Sequence, residues 1–213
     1  MWKTVLFDLD GTLTDSAPGI TNAVAYALAR CGIREEPQNL TNFVGPPLTD
    51  SFRDHYGFDL EKRMEAVDFF REYYNKTGWL ENAPYPGIED LLRALKAAGL
   101  TLMVATSKPE FMAVRILNHF SLAKYFYHIS GAPLDSEEGS RKSAVIRNAL
   151  SHLTGPAEAV MVGDRRHDVA GAKEVGLPCV GVLYGYGGRE ELEKAGAEFI
   201  AEDLAVLKAL LLG

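Results

Sequence analysis

The sequence has little of what marks secreted, membrane or nucleic-acid-binding proteins. It has two cysteines in 213 residues, Cys31 and Cys179, without the spacing of a metal site or a disulfide framework. No apolar run approaches the roughly 18 residues of a membrane span, and the first strand, expected from about Lys3, leaves no room for a signal peptide. The formal net charge of −7 argues against a nucleic acid polymer as partner. These absences predict a cytoplasmic protein with reduced thiols and no membrane partner.

What the chain does contain is a globular composition and, from Gly87 onward, a regular alternation of elements. Hydrophobic residues make up 47% of the sequence and charged residues 24%, which suits a packed core. Apolar runs at 100–105 and 159–162 and a less regular strand pattern at 126–129 alternate with helical patterns at 88–98, 142–153 and 169–175. This alternation predicts an α/β fold, a doubly wound parallel sheet with helices on both faces.

Residues 17–82 break this alternation, because they contain only helical patterns. Helices are expected before Gly32, over 48–55 and over about 60–76. Two prolines and a glycine in 82–87 suit a non-helical connection back to the α/β part. The sequence therefore predicts a core formed by 1–16 and 83–213, with a small all-helical domain, 17–82, inserted after the first strand.

Polar groups follow the apolar runs at the points where strands are expected to end. They are Asp8 and Asp10, Thr106 and Ser107, and Asp164, with Lys142 at the start of a following helix. In open parallel sheets, ligands bind outside the carboxyl ends of the strands. We therefore expect these side chains to converge at one edge of the sheet.

The chemistry of these groups suits a metal ion and a phosphate. The carboxylates of Asp8, Asp10 and Asp164 are hard oxygen ligands of the kind that Mg²⁺ prefers. The Thr106 hydroxyl and the Lys142 ammonium, with backbone N–H groups, can bind phosphate oxygens. Taken singly, an aspartate after a strand is more often a turn or cap residue than a site residue, and Lys142 could be a surface lysine. Their coincidence in order along the chain favours the site.

The same segments resemble, in order, the four motifs of the haloacid dehalogenase superfamily. The resemblance rests on DLDGTLTDS at 8–16, VATSK at 104–108, Lys142 in RKSAVI, and MVGDRRHD at 161–168. Other segments resemble the phosphoglycolate-phosphatase-like branch of that superfamily. They are GPPL at 45–48, YPGIEDLL at 85–92 and GVLYGYGGREEL at 181–192.

The resemblance implies a Rossmann-like catalytic core with a helical cap, and a Mg²⁺-dependent phosphatase acting on a small phosphomonoester. Phosphoglycolate is the substrate that the branch suggests, and a nucleoside 5′-monophosphate is the competitor. Asp8 would be the nucleophile that forms an aspartyl-phosphate, and Asp10 the general acid and base. A sugar phosphomutase of the β-phosphoglucomutase kind is the alternative enzyme, and a non-catalytic phospho-receiver module the alternative of another class.

The resemblance also implies a role for each of the other site residues. Mg²⁺ would be held by the Asp8 and Asp164 carboxylates and the Asp10 carbonyl. The transferring phosphate would contact Thr106, Ser107 and Lys142. The supporting residues would be Asp168, which orients Lys142 or a metal-bound water, and Gly11 and Thr12, which make the turn. Cap residues Gly45, Pro46 and Arg53 would read the leaving group. A monomer or weak homodimer is expected, and the roles of His167 and the 184–188 loop stay open.

Overall fold

The structure, a computed structural model, describes residues 2–133, 138–154 and 158–213. The chain divides into two compact units, one formed by Met1–Thr14 and Pro84–Gly213, the other by Asp15–Ala83. Two short strands, β2 (Thr14–Asp15) and β3 (Ala83–Pro84), pair where the chain leaves and re-enters the first unit. No described helix has the length and apolar character to cross a membrane.

The first unit is built on a six-stranded sheet. Its strands are β1 (Thr4–Phe7), β4 (Thr101–Pro109), β5 (His128–Ala132), β6 (Ala159–Gly163), β7 (Cys179–Val182) and β8 (Phe199–Ala201). They lie in the order β5-β4-β1-β6-β7-β8, and every pairing is parallel. The order changes direction at β1, since β4 lies on one side of it and β6 on the other. Ligand sites of doubly wound sheets are found at such a switch point.

Helices cover both faces of this sheet. They are α4 (Ile88–Ala97), α5 (Glu110–His119), α6 (Lys142–Ser151), α7 (Arg166–Val175), α8 (Arg189–Ala195) and α9 (Leu204–Leu212). In β1, Leu6 belongs to a cluster that includes side chains of α6, α7 and α8. Its neighbours Val5 and Phe7, which point to the opposite face, are also fully buried. Burial of alternate residues on both faces confirms the predicted α/β fold with a doubly wound parallel sheet.

Between the strand residues Asp15 and Ala83 at its two ends, the second unit consists of helices, short 3₁₀ turns and loops. Its helices are α1 (Ala17–Arg30), α2 (Leu48–Tyr56) and α3 (Leu60–Tyr74), with short 3₁₀ turns at Pro37–Asn39, Thr41–Phe43 and Gly78–Leu80. Helix α1 packs on α3. It also lies close to the 3₁₀ turn at Gly78–Leu80, since a Cβ added at Gly19 would lie 1.9 Å from the carbonyl oxygen of Gly78. Phe43 and Phe52 pack edge to face in its core. That this unit acts as a cap stays a prediction.

Candidate active site

The ends of three neighbouring strands bring the predicted polar groups together. In β1, Phe7 is in register with Val104 of β4 and with Val162 of β6. Asp8 directly follows β1, and Asp164 directly follows β6. Thr106 lies two positions beyond Val104 in β4 and is 1% exposed. Residues that are far apart in sequence therefore meet because parallel strands end at the same edge of the sheet.

Three buried aspartates form a compact acidic cluster at this edge. Oxygen atoms of Asp8, Asp164 and Asp168 all lie within 4.8 Å of one another. Asp168 lies in the first turn of α7, where its Oδ2 accepts a hydrogen bond of 3.0 Å from the backbone N–H of Arg165. We call Asp8, Asp164 and Asp168 the acidic cluster.

Lys142 supplies a positive charge to the acidic cluster from the first turn of α6. Its Nζ lies 2.7 Å from Oδ1 of Asp8 and 2.7 Å from Oδ1 of Asp168. It also donates to the carbonyl oxygen of Ala105 at 3.1 Å. Burial by itself would lower the pKa of Lys142, but Asp168 and Asp8 raise that pKa above its ordinary value. Lys142 is therefore charged at any physiological pH.

One lysine does not balance the acidic cluster. Burial raises the pKa of Asp8 to about 6, against a lowering by Lys142. Burial, with Asp168 and Asp8 nearby, raises the pKa of Asp164 to about 8. Burial disfavours the ionised carboxylates and the neighbouring aspartates add to that effect, so the ionised cluster would be stabilised by more positive charge than Lys142 supplies. A divalent cation would supply it, and buried carboxylate oxygens are the donors that Mg²⁺ takes, so the residues present fit such an ion.

The tight turn after β1 is shaped around Asp164. Gly11 has a positive φ of +84°, and a Cβ there would lie 2.3 Å from Oδ2 of Asp164, so only glycine fits. The Gly11 N–H donates to the carbonyl oxygen of Thr14 at 2.8 Å. The Thr12 hydroxyl, fully buried, donates to Oδ1 of Asp164 at 3.2 Å. Gly11 and Thr12 therefore position the Asp164 carboxylate of the acidic cluster.

The loop 184–188 encloses Asp164 from the other side. The backbone N–H of Tyr186 donates to Oδ2 of Asp164 at 2.8 Å, and the Tyr184 hydroxyl donates to the carbonyl oxygen of Thr12 at 3.1 Å. A Cβ at Gly185 would lie 2.3 Å from the carbonyl oxygen of Gly11. The loop that the sequence left without a role therefore packs against the acidic cluster.

The Asp10 carboxylate pairs with a different lysine, Lys108. The Nζ of Lys108 donates to both carboxylate oxygens of Asp10, at 2.9 and 2.8 Å. Sequence reasoning passed over Lys108, although it stands two residues after Thr106 at the same strand end. A charged residue so close to a predicted phosphate-binding residue was the available signal.

The remaining predicted site residues are Ser107 in β4 and Gly45, Pro46 and Arg53 in the second unit. Ser107 is half-buried in β4. In the second unit, Gly45 is exposed and Pro46 half-buried. Arg53 is exposed on α2, where it forms ion pairs with Asp54 at 2.7 Å and with Asp50 at 3.0 Å. Substrate contacts of Ser107 and of these cap residues stay predictions.

Comparison with known proteins identifies the family. A sequence profile described as haloacid dehalogenase-like hydrolase matches residues 5–182. The chain belongs to the haloacid dehalogenase-like hydrolase family. The recognition made from the four motifs and the predicted enzyme class, a phosphoric monoester hydrolase, are therefore confirmed.

Relatives of this hydrolase carry three different names. A 5′-nucleotidase of Pseudomonas aeruginosa is 44% identical over 99% of this chain and 96% of its own length. The tyrosine-protein kinase PtkA of Mycobacterium tuberculosis is 42% identical over 93% of this chain and 68% of its own length. A phosphoglycolate phosphatase of Vibrio vulnificus is 32% identical over 96% of this chain and 94% of its own length.

A solved structure shares the whole fold of this hydrolase. It is the crystal structure of a predicted phosphatase from Clostridium acetobutylicum, with a TM-score of 0.95 and 47% sequence identity. It covers 100% of this chain and 99% of its own.

Proposed function

We propose that this hydrolase cleaves a small phosphomonoester with Mg²⁺ through covalent phosphorylation of Asp8. The observation that carries the proposal is the position of the Asp8 carboxylate. It lies at the switch point of the sheet, 2.7 Å from the buried Lys142 ammonium and beside two further carboxylates. A nucleophilic carboxylate needs a neighbouring cation that neutralises the incoming phosphate, and this arrangement provides one.

The reaction has two steps at phosphorus. An Asp8 oxygen attacks phosphorus and forms an O–P bond while the ester P–O bond breaks, and Asp10 gives its proton to the leaving oxygen. Asp10 then takes a proton from water as that water attacks the aspartyl-phosphate, which releases inorganic phosphate and restores Asp8. Lys142 and the Thr106 hydroxyl bind the phosphoryl oxygens during both steps. When bound, Mg²⁺ would be held by Asp8, Asp164 and the Asp10 carbonyl, and would neutralise negative charge on the phosphoryl group.

A nucleoside 5′-monophosphate is the substrate class that we propose first, and phosphoglycolate second. The relative named 5′-nucleotidase is more similar to this chain than the one named phosphoglycolate phosphatase, and both match nearly end to end. Relatives of one fold differ in substrate, so direct comparison decides. A sugar phosphomutase would use the same aspartyl-phosphate but would return the phosphoryl group to a sugar, so it would require a bisphosphate activator.

A phosphate-release screen tests the proposal. Purified protein with Mg²⁺ is offered about a hundred phosphomonoesters, including nucleoside 5′-monophosphates, phosphoglycolate, phosphotyrosine and sugar phosphates, ranked by kcat/KM. We expect release without a bisphosphate activator, highest for nucleoside 5′-monophosphates. Asp8→Asn should be inactive, whereas the matched control Asp90→Asn, on an exposed side chain of α4, should keep full activity. Phosphate release by Asp8→Asn at the unsubstituted rate would contradict the mechanism.

Two further expectations accompany this proposal. We expect a cytoplasmic location, because two widely separated cysteines without a disulfide framework suit a reducing compartment. A monomer or weak homodimer is expected, and size-exclusion chromatography with light scattering across a concentration series measures it.

A further inference from the structure

Lys108 and Asp10 form a buried ion pair of their own in the first unit. The Lys108 ammonium donates to both Asp10 oxygens, at 2.9 and 2.8 Å. The two side chains are 6% and 12% exposed. Lys142 is engaged elsewhere, with Asp8 and Asp168 at 2.7 Å each. The two buried lysines therefore serve different carboxylates.

The end of β4 determines where Lys108 points. The pairing of β4 with β5 shifts register between Ala105 and Pro109, and such an irregularity re-aims side chains near active sites. The backbone N–H of Lys108 donates to Oγ1 of Thr106 at 3.2 Å. The following proline confines Lys108 to an extended backbone. The local backbone therefore directs the Lys108 side chain toward Asp10.

We propose that Lys108 is a positioning residue, which holds the Asp10 carboxyl group in the orientation that exchanges a proton with the leaving group. The inference rests on the proposed function, in which Asp10 is the acid and base. Proton transfer requires heavy atoms within about 2.6–3.2 Å, whereas an unrestrained aspartate rotates about two bonds. Two hydrogen bonds from one ammonium fix both rotations. One short segment, Thr106 to Lys108, then positions both the phosphate and the proton donor.

The value of kcat/KM should depend on Lys108 for esters whose leaving oxygen needs a proton. For esters whose leaving group is a stable anion, it should depend on Lys108 very little. The alcohol of AMP leaves with a proton from Asp10 as the P–O bond breaks, whereas p-nitrophenolate leaves as a stable anion. Lys108→Met should lower kcat/KM for AMP by about 10–100-fold, which is part of the roughly 10²–10⁴-fold that general acid–base catalysis contributes. For p-nitrophenyl phosphate the same variant should lower kcat/KM by about 3-fold or less. The ratio kcat/KM is the right quantity, because it reports the steps up to phosphorylation of Asp8.

A double-mutant cycle shows whether Lys108 acts through Asp10. Once Asp10→Asn has removed the proton donor, adding Lys108→Met should change the single-turnover rate at which AMP phosphorylates Asp8 by less than about 2-fold, since residues that act as a unit are not additive. A lysine that only bound substrate would lower kcat/KM for both esters alike, and its loss would slow phosphorylation of Asp8 in the Asp10→Asn background too. Lys124→Met, which removes an exposed lysine paired with Glu89 at 3.1 Å, is the matched control and should change neither ester.

The outcomes separate this inference from the proposed function. Phosphate release by the unsubstituted protein and none by Asp8→Asn establish the phosphatase, and their failure contradicts the proposed function itself. With the phosphatase established, two results overturn the role of Lys108. One is that Lys108→Met lowers kcat/KM equally for the two esters, and the other is that it slows the reaction with AMP as much in the Asp10→Asn background as in the unsubstituted protein. If circular dichroism shows that Lys108→Met does not fold, Lys108→Arg carries the test. Arginine keeps the charge but changes the geometry, so a smaller selective loss for AMP is expected, and an equal loss or none overturns the inference.

Discussion

Replacing Lys142 by methionine should destabilise the metal-free protein, and should do so more at high pH than at low pH. The Lys142 side chain is 5% exposed and contacts Asp8 and Asp168 at 2.7 Å each. Removing one partner of a buried ion pair destabilises by about 3–5 kcal/mol. For a protein of about 150–250 residues, each kcal/mol shifts the thermal midpoint by about 2–4 °C. The midpoint in EDTA should therefore fall by about 6–20 °C.

The pH dependence follows from the direction of the pKa shifts. The pKa of Asp8 is raised to about 6 and that of Asp164 to about 8, each from an ordinary 3.8. The folded metal-free protein thus binds protons that the unfolded chain has released above about pH 4, so its free energy of unfolding falls as pH rises from about 4 to 8. Without Lys142, which lowers the pKa of Asp8, these carboxyls hold protons more strongly. The loss of stability should then be smallest near pH 5 and largest near pH 8.

The assay is thermal unfolding of both proteins in EDTA at pH 5 and pH 8, repeated with Mg²⁺ at pH 8. Mg²⁺ should raise the midpoint of both proteins, because a cation replaces the missing positive charge. Lys194→Met is the matched control, since Lys194 pairs with Glu190 at 2.6 Å with both side chains more than 70% exposed, and exposed pairs contribute little. The reasoning is refuted if Lys142→Met and Lys194→Met unfold at the same midpoint in EDTA at pH 8.

Two further predictions concern the loop around Asp164 and the nucleophile. A Cβ at Gly185 would lie 2.4 Å from Cβ of Asp164, whereas one at Gly188 would meet nothing within 4 Å. Gly185→Ala should therefore raise the Mg²⁺ concentration for half-maximal activity about 10-fold or more, as measured by a metal titration. The control Gly188→Ala should leave that concentration unchanged. Asp10→Asn should accumulate phosphoenzyme at Asp8, which acid-quenched mass spectrometry detects as a phosphate adduct; full turnover without the adduct would contradict the role of Asp10.

The sequence predicted the buried parts of the strands better than their ends. The run at 100–105 predicted a strand, but β4 continues to Pro109, because its last residues pair with β5 without an apolar pattern. Strand β5 was expected at 126–129 and lies at His128–Ala132. Its fully buried Ser130 is stabilised by hydrogen bonds rather than by apolar character, since it donates to the Val145 carbonyl and accepts from Asn148. Hydrophobic periodicity does not detect a residue buried in this way.

The start of α7 shows the same limit at a helix. The apolar pattern predicted a helix from 169, yet α7 begins at Arg166. The first turn is polar because Asp168 caps it, accepting a hydrogen bond from the Arg165 backbone N–H, while also contacting Lys142. A polar residue such as Asp168, which caps a helix and contacts the site, does not appear in a hydrophobic pattern. The capping box explains its position once the start of the helix is known.

The sequence predicted that several polar residues would meet at one edge of the sheet, but it did not predict which of them would pair. That Asp8, Thr106 and Asp164 would share one edge followed from their places after parallel strands. Which lysine would contact which carboxylate depends on side-chain directions at strand and helix ends, and sequence spacing does not contain these. The approach of the 184–188 loop to Asp164 joins positions about twenty residues apart, and the density of glycine was its one local sign.

The division of the carboxylates between two lysines explains how neighbouring aspartates can differ in role. The acidic cluster with Lys142 has, when fully ionised, three negative charges and one positive, an excess of two. A divalent cation would balance that excess, and burial together with the neighbouring carboxylates raises the pKa values of Asp8 and Asp164. Asp10 stands outside this balance, because its charge is already matched by Lys108. In the proposed reaction the Asp8 carboxylate would contact the cation whereas the Asp10 carboxylate would not, so the two side chains can change charge at different steps.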